Sequence, residues 1–290
     1  MSTKPRIAFL GTGLMGRPMA ANLLRAGFPL NAWNRGADKT LPLTTLGGIA
    51  CETPARAAQD ADIVITMLLN GEIVETILTD IEPSLRPGQL VIDMSSIAPR
   101  MARAHAARLK QGGIDYLDAP VSGGTVGATE ATLAIMAGGT EPAFARATEA
   151  FMAMGRPTLV GPNGAGQLSK LANQAIVAIT IGAVSEALLL AKGGGADPAA
   201  VRQAITGGFA DSRILDLHGA RMLAGNFAPG GPIVTQIKDL KNILDEAAEL
   251  GLELPFVQLA YRLFQEAAAN GLGDLDHSAL YRHLATMNKL

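Results

Sequence analysis

The chain has 290 residues, of which 48% are hydrophobic and 17% charged, with a formal net charge of −2. That composition supports a sizeable core, and the balanced charge gives no basic footprint for nucleic acid and no polybasic anchor for a membrane. A single cysteine, Cys51, excludes an internal disulfide framework and fits a reducing compartment. The four histidines (His105, His218, His277, His283) are scattered off metal-ligand spacing, so no metal site is expected.

Met1 to Arg6 is a short polar lead without a signal-peptide core, which predicts a cytoplasmic protein. Arg6–Leu10 then reads as a strand, Leu14–Ala26 as a helix and Pro29–Trp33 as a second strand. Ile63–Leu68, Leu90–Asp93, Asp115–Ala119 and Leu133–Ala137 continue the strand pattern, with helices at Pro99–Gln111 and Glu141–Met154. A short strand at Thr158–Val160 runs into the turn signal Gly161-Pro162-Asn163-Gly164. This alternation predicts an α/β fold, a Rossmann-type doubly wound sheet over residues 1–163.

Beyond the turn the strand signals stop, and residues 164–290 are expected to form an all-helical substrate and oligomerisation domain. Gln167 to about Lys192 is apolar on nearly every side, interrupted by Glu186 and bracketed by Lys170 and Lys192. It reads as an enclosed core helix rather than a membrane span. A domain of that size offers too little surface to enclose it, so a second copy is expected to cover part, giving a homo-dimer or tetramer. Asp197-Pro198 opens the next helix, and further helical patterns cover Arg213–Ala224, Val234–Leu250, Pro255–Asn270 and His277–Thr286.

Chemistry first shows at Gly11-Thr12-Gly13-Leu14-Met15-Gly16, between the first strand and its helix. Bare, such a pattern is weak in a chain with 33 glycines; between strand and helix it reads as a dinucleotide loop. Gly11 permits the turn, Gly13 lets backbone N–H groups approach a pyrophosphate, and Gly16 lets the helix pack on the strand. The second strand ends in Trp33-Asn34-Arg35, without the acid that usually accepts the ribose hydroxyls of NAD. With no carboxylate before Asp38 to repel a 2′-phosphate, and with Arg35 and Lys39 able to contact one, this strand end favours NADP, and NAD stays open. Met67, Leu68, Leu69 and Asn70, then Ser95 and Ser96 after Asp93, lie at the carboxyl ends of strands, where ligands of such sheets bind.

Two further segments have two readings each, and a third has one. Ser122-Gly123-Gly124 is either a flexible turn or a nest of N–H groups for a carboxylate. Lys170 is either a snorkelling side chain or an amine whose pKa is lowered by burial and the positive helix end, fit for acid–base work. Asn173 and Gln174 share its helix face at i+3 and i+4. Lys238-Asp239-Leu240-Lys241 reads most simply as a solvated charge run.

Taken together, Phe9–Gly16, Asp118–Gly124, Gly164-Ala165-Gly166 through Lys170, and Lys238-Asp239-Leu240 make the chain resemble the β-hydroxyacid dehydrogenase (3-hydroxyisobutyrate dehydrogenase-like) family over essentially its full length. The resemblance implies an NAD(P)-dependent enzyme acting on a small carboxylate. It makes Lys170 the acid/base, gives Ser122, Gly123 and Gly124 to the substrate carboxylate, and brings Lys238 near the nicotinamide. Gln174 departs from the asparagine common at that position. Lys170–Gln174 and Leu272–Leu280 look most like the tartronate semialdehyde reductase branch, which implies reduction of tartronate semialdehyde to glycerate. Sister substrates are succinic semialdehyde, glyoxylate, 3-hydroxyisobutyrate and sulfonated aldehydes. Imine reductases share the fold but usually lack the lysine, and a redox-silent scaffold would not need it.

Overall fold

A computed structural model describes residues 4–290, which form two compact units, one up to Lys170 and one spanning Leu171–Leu290. In the first unit the strands are β1 (Ile7–Leu10), β2 (Leu30–Trp33), β3 (Ile49–Ala50), β4 (Ile63–Thr66), β5 (Leu90–Asp93), β6 (Asp115–Asp118), β7 (Val121–Ser122), β8 (Leu133–Gly138) and β9 (Gly155–Gly161). They build one sheet in the order β3-β2-β1-β4-β5-β6-β8-β7, with β9 on β8. Pairing is parallel from β3 through β6. β8 runs antiparallel to β6 and β7 and parallel to β9. The 3-2-1-4-5-6 part is the Rossmann order, so the carboxyl ends of β1, β2, β4, β5 and β6 share one edge.

The helices of this unit are α1 (Gly16–Arg25), α2 (Leu41–Thr44), α3 (Pro54–Ala58), α4 (Gly71–Ile81), α5 (Pro99–Gln111), α6 (Gly124–Glu130) and α7 (Glu141–Met152). They cover both faces of the sheet, which explains why β1, β4 and β5 are buried at every position. Phe9, Ile65, Ile92 and Leu117 pack on one face with Met19 and Leu23 of α1; Ala8, Val64 and Val91 pack on the other with Val74 and Leu78 of α4. Several elements escaped the sequence reading. β3 and β7 are two residues each, too short for a period to show. Helix α4 follows directly on Asn70, whose side chain caps it by accepting from Ile73 N–H at 3.0 Å.

Helix α8 (Ala165–Gly193) begins in the first unit and continues into the second. The second unit also holds α9 (Pro198–Ile205), α10 (Arg213–Ala224), α11 (Ile233–Glu249), α12 (Pro255–Ala267) and α13 (Leu280–Met287). Asp197 caps α9 as its Asp-Pro signal predicts, accepting from Ala199 N–H. Leu171, Ala178, Ile181, Leu188 and Leu189 of α8 join the core with Leu215, Leu240, Phe264 and Leu280. The single chain does not enclose α8 on every side, since Ile176 is 67% and Leu190 78% exposed. α8 is long and apolar enough to cross a membrane, but its buried face is a core face of this unit.

Candidate active site

The glycine loop is built as its spacing requires. Gly11 adopts φ +103°, and a Cβ there would collide with the Met67 carbonyl oxygen at the end of β4. A Cβ on Gly16 would drive into the Gly11 carbonyl oxygen and the Phe9 ring. At Gly13, by contrast, a Cβ would meet nothing within 4 Å. The chain itself therefore demands Gly11 and Gly16, whereas the space beside Gly13 is open to a ligand, a cradle that fits a dinucleotide pyrophosphate. Gly13 and Met15 are half-buried and Leu14 is exposed; Leu69, at the end of β4, is exposed as well, beside half-buried Met67, Leu68 and Asn70.

The loop is held from the end of β2. Asn34 Oδ1 accepts from Thr12 N–H at 3.0 Å, and its Nδ2 donates to the Gly36 carbonyl at 3.0 Å. Thr12 Oγ1 donates to the Lys39 carbonyl at 3.2 Å. Asn34 thus shapes the loop with both ends of its amide, and Arg35 beside it is exposed.

Buried polar groups tie the next strand ends together. Asp93, fully buried at the end of β5, accepts from Thr66 Oγ1 at 2.7 Å and from Ser95 N–H at 3.0 Å. Burial raises its pKa against those hydrogen bonds. Ser95 Oγ accepts from Leu68 N–H at 2.9 Å, so its hydroxyl joins β5 to β4 instead of lying open; Ser96 next to it is half-buried. Asp118, at the end of β6 and paired in register with Asp93, accepts from Gly164 N–H at 2.7 Å and from Gln167 N–H at 2.9 Å. Its carboxylate therefore caps α8. Burial pushes Asp118 up to about 6, with the hydrogen bonds from Gly164 and Gln167 opposing. The Gln167 side chain, wholly buried, donates to the Ser95 carbonyl at 2.8 Å and accepts from Ile97 N–H at 3.1 Å.

Lys170 follows on the second turn of α8, half-buried rather than sunk in the core. Ser122 is half-buried in β7, paired with Ala134, and is not in a loose turn. Gly123 and Gly124, both exposed, take φ +138° and +62° and turn the chain into α6. That left-handed pair presents successive N–H groups at a helix start, a geometry suited to a carboxylate.

In the second unit a polar chain links α8 to α11. Asn173 Nδ2 donates to Gln174 Oε1 at 2.9 Å, and Gln174 Nε2 donates to Asp239 Oδ2 at 2.7 Å. Lys238 Nζ pairs with Asp239 Oδ1 at 3.0 Å. The charge run is therefore not simply solvated, since Asp239 is buried and holds both Gln174 and Lys238. The extra methylene of Gln174 is used in reaching Asp239.

The histidines also need correcting. His218 and His277 meet with Nε2 atoms 3.3 Å apart, beside Asp276. Fifty-nine residues separate them in sequence, so spacing could not show it. Burial pushes His277 down to about 4, against the attraction of Asp276. Asp276 already accepts from Gly230, Gly231, Ser278 and Arg221. Hydrogen bonds from His218 and Ser278 outweigh burial and hold its pKa low. A carboxylate so fully engaged fits a loop anchor better than an ion site.

Sequence reasoning gave no role to Asp118, Gln167 or Asp239. The readable signals were slight: a carboxylate closing a strand, the one polar side chain in the first turn of an apolar helix, and an acid next to a candidate lysine.

Comparison with known proteins agrees with this architecture. The profile of the NAD-binding domain of 6-phosphogluconate dehydrogenase matches residues 6–164. That of the NAD-binding region of NADP-dependent 3-hydroxyisobutyrate dehydrogenase matches residues 164–284. The chain is 46% identical to 2-hydroxy-3-oxopropionate reductase of Escherichia coli, covering 97% of this chain and 98% of that one. It is 33% identical to an NAD-dependent L-serine dehydrogenase of Pseudomonas aeruginosa over 96% of this chain and 97% of the relative. The solved structure of Mycobacterium tuberculosis 3-hydroxyisobutyrate dehydrogenase with L-serine is 34% identical and superposes with a TM-score of 0.89, covering 97% of this chain and 99% of that one. This chain belongs to the 3-hydroxyisobutyrate dehydrogenase-like family of NAD(P)-dependent hydroxyacid dehydrogenases.

Proposed function

We propose that the chain reduces a small 3-oxo carboxylate, tartronate semialdehyde before others, to its 3-hydroxy acid, glycerate, with Lys170 as general acid. The observation that carries the reaction class is an amine on the second turn of α8, just beyond a cap anchored at the sheet edge that also carries the glycine cradle. The choice of substrate rests on the likeness to 2-hydroxy-3-oxopropionate reductase. A bound reduced nicotinamide supplies the hydride for the aldehyde carbon.

In this reading Lys170, as ammonium, donates a hydrogen bond to the carbonyl oxygen and passes its proton to the alkoxide as that forms. In oxidation the neutral amine takes the hydroxyl proton. Ser122, Gly123 and Gly124 hold the carboxylate through the Ser122 hydroxyl and backbone N–H groups. Asn173 and Gln174 go to the substrate; Gly11–Gly16, Asn34, Arg35, Met67, Leu68, Leu69, Ser96 and Lys238 go to the cofactor. NADP is preferred because the end of β2 carries the Asn34 amide and exposed Arg35 where NAD enzymes place an acid. The enzyme works in the cytoplasm as a homo-oligomer, its exposed apolar residues on α8 covered by a second copy.

Initial rates with NADPH and NADH, measured on tartronate semialdehyde, succinic semialdehyde, glyoxylate, a sulfonated aldehyde and a cyclic imine, test the proposal. The expected result is fastest turnover of tartronate semialdehyde with NADPH. Preference for another carboxylated aldehyde would move the substrate to a sister reaction, and reduction of the imine alone would overturn the reading.

A further inference from the structure

We propose that Asp118 and Gln167 are positioning residues for Lys170, fixing the first turn of α8 to the carboxyl ends of β5 and β6. The inference rests on the reading of Lys170 as the proton donor.

Any helix start leaves N–H groups without intrahelical partners, and a serine or aspartate directly before it usually serves them. Here the cap comes from 46 residues away, on the neighbouring strand β6. Such a bond does more than end a helix: it ties α8 to the sheet. Glycines make the approach possible, since a Cβ on Gly138 would lie 2.7 Å from Asp118 Oδ1 and one on Gly166 would run into the Asp118 and Met136 carbonyls.

Gln167 adds a second tie, its amide bridging the Ser95 carbonyl and the Ile97 N–H beyond β5. Ser95 in turn holds Leu68 N–H beyond β4. Three consecutive strand ends thus converge on one turn of α8, and Lys170 stands three residues past Gln167, one turn along the same side.

For stability alone this is a poor arrangement. Burying a carboxylate beside Asp93 is unfavourable, and a local cap would serve the helix equally well. Placement within a few tenths of an ångström is what a long-range buried cap adds, and small displacements of a catalytic group are expensive in rate.

The test compares Asp118→Asn and Gln167→Met with Lys170→Ala as reference. It reads kcat, KM, NADPH affinity, pH profile and amide exchange over residues 164–170. Asp118→Asn should lower kcat about 10- to 100-fold while NADPH affinity stays within about twofold and exchange speeds up in the first turn of α8. In the parent enzyme kcat should fall as the pH drops through about 6, where protonation turns one acceptor oxygen of Asp118 into O–H. In Asp118→Asn that limb should vanish. Asp93 on β5 and Tyr116 on β6 act on Asp118 directly, while Arg103 of α5 lies against Gly164 and His105 of α5 packs on Tyr116; all four are unaltered in the variant. Gln167→Met should lower kcat about 10-fold and keep the acidic limb.

Unchanged kcat in both variants, or an acidic limb that survives Asp118→Asn, would overturn the inference even with Lys170→Ala inactive. Full turnover by Lys170→Ala would instead overturn the reading beneath it. If Asp118→Asn does not fold, Gln167→Met decides alone through kcat and exchange.

Discussion

The two units hold their polar candidates by different physics. In the first, side chains are fixed by backbone: Asp93, Asp118, Ser95, Asn34 and Gln167 each bond to main-chain N–H or C=O groups at strand ends or a helix start. In the second, Asn173, Gln174, Asp239 and Lys238 are fixed mostly by one another, side chain to side chain across α8 and α11. Backbone partners move only if the fold moves, whereas side-chain partners can be rearranged by one substitution. The first unit should therefore resist retuning of its geometry, and the second should be where specificity drifts.

The sharpest way to break that comparison is at the glycine loop. Gly16→Ala forces a Cβ against backbone and should cost about 3–4 kcal/mol or more, seen as a lost or strongly lowered melting transition. Gly13→Ala, with open space around it, should leave the melting temperature alone and weaken NADPH binding about tenfold or more by titration. Equal destabilisation by both would mean that the loop is not divided between fold and ligand.

Next comes Lys170→Ala, expected to lower turnover at least about 100-fold with cofactor affinity intact, measured by steady-state rates and fluorescence titration. Near-normal turnover would remove the amine from the chemistry.

Acid should separate the units. His277, pushed down to about 4, stays neutral in the folded chain while its unfolded form takes a proton near 6.5; the second unit should lose about 2–3 kcal/mol as the pH falls from about 6.5 to 4. Asp118, pushed up to about 6, takes its proton in the folded chain before the unfolded chain does. The first unit should gain a similar amount between about pH 6 and 3.8. Unit-resolved hydrogen exchange across that range checks both signs.

The smallest effect is expected from Gln174→Asn, which shortens the reach to Asp239 and should cost about 1–2 kcal/mol, read as a several-fold change in KM and a modest fall in melting temperature. No change in either would say that the polar chain of the second unit is not coupled to substrate.

Much of the fold was legible because its signals are local. The buried runs of β1, β4 and β5, the cap at Asp197 and the glycine loop all lie within a few residues of what they determine. The site was legible only where it shares that property. Nothing near Asp118 announces a helix start 46 positions later, and nothing near His218 announces His277. Helix α4 was overlooked for a related reason: Met67–Asn70 reads as the end of a strand, and the cap at Asn70 is visible only once the strand is known to stop at Thr66.

Asn34 links loop geometry to the choice of electron donor. A carboxylate has nearly the outline of its amide and could still receive the Thr12 N–H, but it has no donor for the Gly36 carbonyl and would bring a negative charge to the place that greets the adenosine end of a coenzyme. Retuning coenzyme charge at this position therefore also unties the turn after β2, so the one-residue change carries a cost in the scaffold that holds it.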